Sequence, residues 1–271
     1  MHTLQVGFRY TAVSVATDSD YIATHLRTAF RHMPGTAAQV VVGHLELTRD
    51  GDAYSCQGAP WATASDLTEQ SAADHATYEV IMHLRYANAG LLWLHAACAA
   101  RGSRAVVFAG NRGSGKSTLA ALLPSMGWQY LSDDVTPVEM PSLSAVPFPE
   151  TPSMRLGGPA HLDEPEVLLL TKATVELSVT QIAQAPVGIA ALVFPTYVAG
   201  ADTAMERLGA GRAAAALLQQ CLDLPNHEKE TVECVGRLLT QAPAWRITYS
   251  AAHEAARLVD AMLLPAAPNG G

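Results

Sequence analysis

Apolar and polar positions alternate with two periods along this chain, and the period changes several times. Val13-Ser14-Val15 alternates as a strand does, so Leu4 to Thr17 reads as one or two strands. Asp18 or Ser19 then caps a predicted helix from about Tyr21 to His32, stopped by Pro34-Gly35. Val40 to Leu47 is a strand, Arg49-Asp50-Gly51-Asp52 a turn, and Ala53 to Cys56 its hairpin partner. A helix is expected from Ser71 to Asn88, with Tyr78, Ile81, Met82 and Arg85 at helical spacing, Val80 and Leu84 flanking them, and His75 and His83 at solvated or edge positions. Leu91 to Ala100 reads as one central apolar strand. Arg101-Gly102-Ser103 turns it into Ala105-Val106-Val107-Phe108-Ala109, and so short a link makes the two strands antiparallel neighbours.

Further on, Trp128 to Val138 reads as a strand, and about Glu139 to Pro165 as mostly loop. Val175 to Ile182, Ile189 to Phe194 and Trp245 to Tyr249 are expected strands. Arg212 to Leu222, Lys229 to Leu239 and Ala252 to Leu263 are expected helices. This order predicts an α/β protein with a mixed sheet. A small α/β lobe spans 1–90, a larger domain 91–265, and a frayed tail 266–271.

The chemistry is concentrated between the second apolar strand and the helix after it. Gly110-Asn111-Arg112-Gly113-Ser114-Gly115-Lys116-Ser117 is a complete phosphate-loop pattern, followed by Thr118 and an apolar helical run. Its glycines permit positive φ and close backbone approach, so successive N–H groups can converge on one anion at the start of a helix. Lys116 would place a charge on the β and γ phosphates of ATP, and Ser117 a hydroxyl on Mg²⁺. A plain glycine turn before a helix is the simpler alternative. No apolar run ending in an acid follows at the distance that motor and transporter ATPases use. The acids available are Asp133 and Asp134, one helix after the loop. We assign Asp133 as the base for an acceptor hydroxyl and Asp134 to the metal side, with the order of the two left open. Adjacent residues of a regular strand face opposite ways, so both can serve one site only at a strand end or bulge. His95 interrupts the first apolar strand and is either a satisfied core histidine or a residue that touches the γ-phosphate or orients Asp133. Arg155, Lys172 and Arg112 are cations that could neutralise transition-state charge, or plain surface charges.

Composition narrows the partners. With 17 Lys+Arg against 25 Asp+Glu, the formal net charge is -8, and no basic cluster offsets it, which argues against nucleic-acid binding. The four cysteines form no CxxC pair, as expected of a reducing compartment without a zinc site. Neither a signal peptide nor a run of membrane-spanning length is seen, so a cytoplasmic protein is expected.

Leu94-His95-Ala96, the loop 110–117 and Leu131-Ser132-Asp133-Asp134-Val135 together resemble the core of HPr kinase/phosphorylase, of the phosphoenolpyruvate carboxykinase superfamily. The resemblance covers about 91–138. It implies a mixed-sheet phosphate-loop core, ATP and Mg²⁺ as cofactors, and transfer to a serine hydroxyl of a protein. It also implies Asp133 as general base/acid, Asp134 on the metal side and His95 as the active-site histidine. The Gly-rich Glu signature of that family is missing; Pro147-Phe148-Pro149 and Pro152-Ser153-Met154-Arg155-Leu156 stand in its place. That pattern is similar to shorter members associated with lasso-peptide biosynthesis, which phosphorylate a precursor peptide, and it makes Arg155 and Lys172 candidate substrate or phosphate contacts. The expected partners are therefore a nucleotide and a serine-bearing peptide or protein, with a homo-oligomer left open. A small-molecule hydroxyl kinase and a non-catalytic ATP sensor are the alternatives.

Overall fold

A computed structural model describes residues 1–59, 63–155, 172–224 and 227–263. The chain divides into two compact units, Met1–Ala89 and Gly90–Gly271. The first contains β1 (His2–Phe8), β2 (Thr11–Thr17), α1 (Asp20–Ala29), β3 (Val40–Asp50), β4 (Ala53–Ala59), β5 (Thr63–Leu67) and α2 (Glu69–Ala87). Its strands form one sheet in sequence order, antiparallel except for β2 and β3. Both helices begin where a hydroxyl satisfies an amide that the helix leaves free: Ser19 accepts from the Ile22 N–H and Thr68 from the Ser71 N–H.

The buried face of α2 differs from the expected one. Ala72, Ala73, Ala76, Val80 and Leu84 face the core, whereas Tyr78 is exposed. Small side chains let the helix approach its sheet closely, so the alanines go inward with the flanking Val80 and Leu84, and Tyr78 does not. His83 is also buried, correcting the solvated position expected for it, and its Nδ1 lies 2.8 Å from the Glu79 carbonyl oxygen. The room for its ring comes from Gly43 on β3, where a Cβ would overlap His83 Cδ2.

The second unit runs β6 (Leu91–Leu94), β7 (Ala96–Arg101), β8 (Arg104–Ala109), α3 (Lys116–Leu122), β9 (Gln129–Ser132), β10 (Thr136–Glu139), β11 (Ser144–Ala145), β12 (Ser153–Arg155), β13 (Lys172–Thr174), β14 (Val187–Tyr197), β15 (Ala204–Arg207), α4 (Ala210–Leu218), α5 (Glu228–Gln241), β16 (Ala244–Tyr249) and α6 (Ala252–Leu263). As the short link required, β7 and β8 are antiparallel, Ala96 opposite Ala109. β14 is parallel to β8 on one side and to β16 on the other, while β9 is antiparallel to β7. The sheet is therefore mixed, and the local order across it is β9-β7-β8-β14-β16. Its two faces are buried in separate apolar clusters. One holds Leu131, Leu192, Leu217, Val235 and Leu238, with α4 and α5. The other holds Phe108, Leu119, Trp128, Ile247 and Val259, with α3 and α6.

Three expected strands are corrected. Leu91 to Ala100 is broken at His95, whose N–H leaves the ladder to donate to the Gln220 carbonyl at 2.7 Å. Trp128 to Val138 is broken at Asp133 to Val135, where the Val135 N–H turns back to the Asp133 carbonyl at 2.7 Å and Asp134 takes φ +60°. Val175 to Ile182 is not a strand; after Thr174 the chain reaches only a short turn, Val179–Gln181, closed by a reciprocal Ser178–Gln181 capping box. The strand β15 and the short β11 were not expected. The part of the expected 139–165 loop from 156 on, and the tail, lie outside the described residues.

Gly43→Ala should overpack the α2–β3 contact and cost about 1–3 kcal/mol, read as a lowered urea midpoint. A change below about 0.5 kcal/mol would mean that His83 moves aside freely.

Candidate active site

The strand order brings the sequence-derived candidates to one edge of the sheet. β9, β8, β14 and β16 all point the same way, and their carboxyl ends lie together at the edge where β7 begins. Ligands of open α/β sheets bind outside such carboxyl ends. Here the glycine-rich loop leaves β8, His95 precedes β7, and Asp133 and Asp134 follow β9. A cavity of about 570 Å³ opens at this edge, lined among others by His95, Lys116, Ser117, Asp134 and Tyr249.

The loop has the backbone that its glycines allow. Gly113 and Gly115 take φ +82° and +100°, and a Cβ at Gly115 would overlap Tyr249 Oη. From Gly113 to Thr118, among the described residues, only the Ser114 N–H donates to a backbone carbonyl, that of Asn111 at 3.2 Å. The amides of Gly113, Gly115, Lys116, Ser117 and Thr118 are thus left to the cavity that these five residues line. Asn111 and Arg112 are exposed, and Gly110 follows β8 beside Ser114.

Lys116 is buried and reaches back across the loop. Its Nζ lies 2.7 Å from the Gly110 carbonyl oxygen, 3.3 Å from that of Asn111 and 3.2 Å from His95 Nε2. Burial lowers the lysine pKa, against the opposing charges of Asp134 and Asp133. Burial and the Lys116 charge also lower that of His95, against Asp134, whose backbone the imidazole hydrogen-bonds. A neutral ring that accepts from Lys116 at Nε2 carries its proton on Nδ1.

The break after β9 answers the geometric objection to two adjacent acids. Asp133 is 5% exposed and turned inward, while Asp134, in the left-handed region, is exposed and lines the cavity. Asp133 accepts from the Ser117 hydroxyl, from its neighbour's N–H at 2.9 Å and from the Ser153 N–H. Burial, then the Asp134 charge, still push it up to about 7 against those three donors.

Two features of the site are not foreseen by the sequence. Glu150 is a third carboxylate beside the pair. Phe148 hydrogen-bonds and bridges to the end of β9, and the Tyr130 hydroxyl donates to the Glu150 carbonyl at 2.8 Å, so this proline-rich segment runs alongside the acids. Among the described residues Glu150 Oε1 is buried with no hydrogen-bond partner, and burial followed by the charges of Asp134 and Asp133 holds its carboxyl well above the usual range. The second feature is an aromatic wall of Tyr197 and Tyr249. Arg155, by contrast, lies on β12, its backbone opposite that of Lys172 on β13. Ser153, at the start of β12, lines the cavity.

A carboxyl whose pKa rises on folding binds more protons native than unfolded, so the metal-free protein should lose stability as pH rises from about 4 through about 7. Asp133→Asn should lessen that loss, seen as a smaller fall in Tm between about pH 5 and 8. Equal falls in both proteins would contradict a raised Asp133.

No protein-family model matches the chain, and no curated protein matches it. Among solved structures it is similar to the HPr(Ser) kinase/phosphatase from Coxiella burnetii, at 14% identity and a TM-score of 0.33, over 63% of this chain and 93% of that one.

Proposed function

We propose that this chain is an ATP- and Mg²⁺-dependent phosphotransferase that moves the terminal phosphoryl group onto a hydroxyl, that of a serine in a peptide or protein. The observation that carries the proposal is the single cavity that Lys116 and Ser117 of the loop line together with Asp134 and His95. It ties the GKS end of the loop to the acid pair, the two halves that phosphoryl transfer needs in one place. The serine acceptor is supported by the resemblance of 91–138 to serine kinases of the HPr kinase type, and a ribosomally made precursor peptide by the pattern at 147–156.

In this proposal the loop amides and Lys116 hold the phosphates, and charge developing on the transferred group meets donors already fixed in place. Ser117 and Asp133 are hard oxygen donors of the kind that Mg²⁺ takes, and the Ser117 hydroxyl favours the ionised form of Asp133. Among the described residues no three His, Cys, Asp or Glu side chains form a metal-binding group. Two protein oxygens suit an ion that is commonly held by one or two carboxylates together with substrate phosphates. Bound there, it would neutralise phosphate charge. Asp134 faces the cavity beside His95 and accepts the proton of the incoming hydroxyl. This reverses the order of roles assigned from the sequence, because Asp133 is too buried to meet an acceptor and is already engaged by Ser117. His95 holds Lys116 and the Asp134 backbone in register, its Nε2 toward Lys116.

The test uses γ-labelled ATP with serine-ended peptides and, in parallel, a panel of hydroxyl metabolites. Label should pass to peptide serine; label on a metabolite alone would make the protein a small-molecule kinase, and none on either an ATP sensor. Lys116→Ala should abolish transfer. Asp134→Asn should keep ATP affinity and lose about 10²–10⁴-fold in rate, as loss of a general base does. Asp133→Asn should weaken Mg²⁺-dependent ATP binding; the opposite pattern in the two variants would restore the sequence-derived order.

A further inference from the structure

The strand ends flanking the glycine-rich loop differ in chemistry on its two sides. Across the sheet, β7 and β9 lie on one side of β8, and β14 and β16 on the other. The first side ends in His95, Asp133 and Asp134. The second ends in Tyr197, Tyr249 and Ser250. Lys116 and Ser117 both lean toward the acid side, Lys116 Nζ to His95 at 3.2 Å and the Ser117 hydroxyl to Asp133. Lysine of such a loop reaches the β and γ phosphates. The terminal phosphate therefore belongs on the acid side, and the rest of the nucleotide must leave across the loop on the other.

That side is built to receive a flat group. Tyr197 and Tyr249 meet edge to face, centroids 5.9 Å apart at 89°. Tyr249 is buried, its hydroxyl lies 3.3 Å from the Ser114 carbonyl oxygen, and it fills the space left by the missing side chain at Gly115. It is committed to holding the loop. Tyr197 is only half-buried and lines the cavity with Ser250 and Ala252 at the start of α6, which packs on α3. The Ser250 hydroxyl is already given to the Ala201 carbonyl at 2.8 Å, so this wall offers a ring more than a base-edge contact.

We infer that the Tyr197 side of the cavity is the nucleoside subsite, where the base of the triphosphate stacks on the Tyr197 ring while Tyr249 couples that wall to the loop. The inference rests on the phosphotransferase proposal above, and its test separates the two. Calorimetry with Mg²⁺ measures ATP and inorganic tripolyphosphate binding to the wild type and to Tyr197→Ala, Tyr197→Leu and Tyr197→Phe. Tyr197→Ala and Tyr197→Leu should weaken ATP about tenfold or more, within the range of base–aromatic stacking, and leave tripolyphosphate within about twofold. Tyr197→Phe should bind both as the wild type does. If Tyr197→Ala does not fold, Tyr197→Leu, which keeps bulk against Tyr249, decides. ATP affinity unchanged in the Leu variant, or ATP and tripolyphosphate weakened equally, would overturn the subsite. A wild type that binds neither ligand would instead overturn the underlying proposal.

Discussion

The site depends on a carboxylate kept where burial opposes its charge. Asp133 sits at the end of β9 with three donors aimed at it: the Ser117 hydroxyl, the Asp134 N–H and the Ser153 N–H. Each comes from a different segment, and together they join the glycine-rich loop, the break after β9 and the start of β12. Remove the carboxylate and the loop loses the contact that orients Ser117 toward the acids. The cost is visible in its raised pKa, as expected of a group that burial and a like charge both disfavour in ionised form. Perturbed carboxyls of this kind cluster at functional sites more than elsewhere, though structural networks produce them too.

Backbone irregularity supplies the rest. Two strands that continuous apolar patterning made whole are each broken at a polar residue, His95 in one and Asp133-Asp134 in the other. The breaks lie at the edge where β8 ends, and they free side chains that a regular ladder would send to opposite faces. Asp134 at φ +60° is the clearest instance, since non-glycine residues seldom stay there. Lys116, His95 and the Asp134 backbone then form a chain of contacts along one side of the cavity.

What the sequence discloses and what it hides have physical reasons. The glycine-rich loop is local: its glycines, lysine and serine are contiguous and lie between a strand and a helix. The hairpin of β7 and β8 follows from a two-residue link. The acid pair shows because two adjacent carboxylates interrupt an apolar strand. Glu150 does not show, because its segment has no period and is brought in by Phe148 and Tyr130 from β9's surroundings. Tyr197 and Tyr249 meet only through the register of β14 on β16, set by pairing between remote parts of the chain. Val175 to Ile182 misleads because Val175, Leu177 and Val179 alternate with polar residues, whereas among the described residues only Ile182 of this segment bridges to a strand, at Tyr130 of β9. In α2, Tyr78, Ile81 and Met82 at helical spacing mimic a core face, while Ala72, Ala73 and Ala76 take it with Val80 and Leu84.

Hydrogen–deuterium exchange of the whole protein, with and without MgATP, tests the account most directly. If the loop and the acids form one nucleotide site, amides in 110–118 and in 132–135 should gain protection together when MgATP is added, and both should lose that gain in Lys116→Ala. Protection confined to other parts of the chain, or gained at 110–118 without any change at 132–135, would contradict a single site.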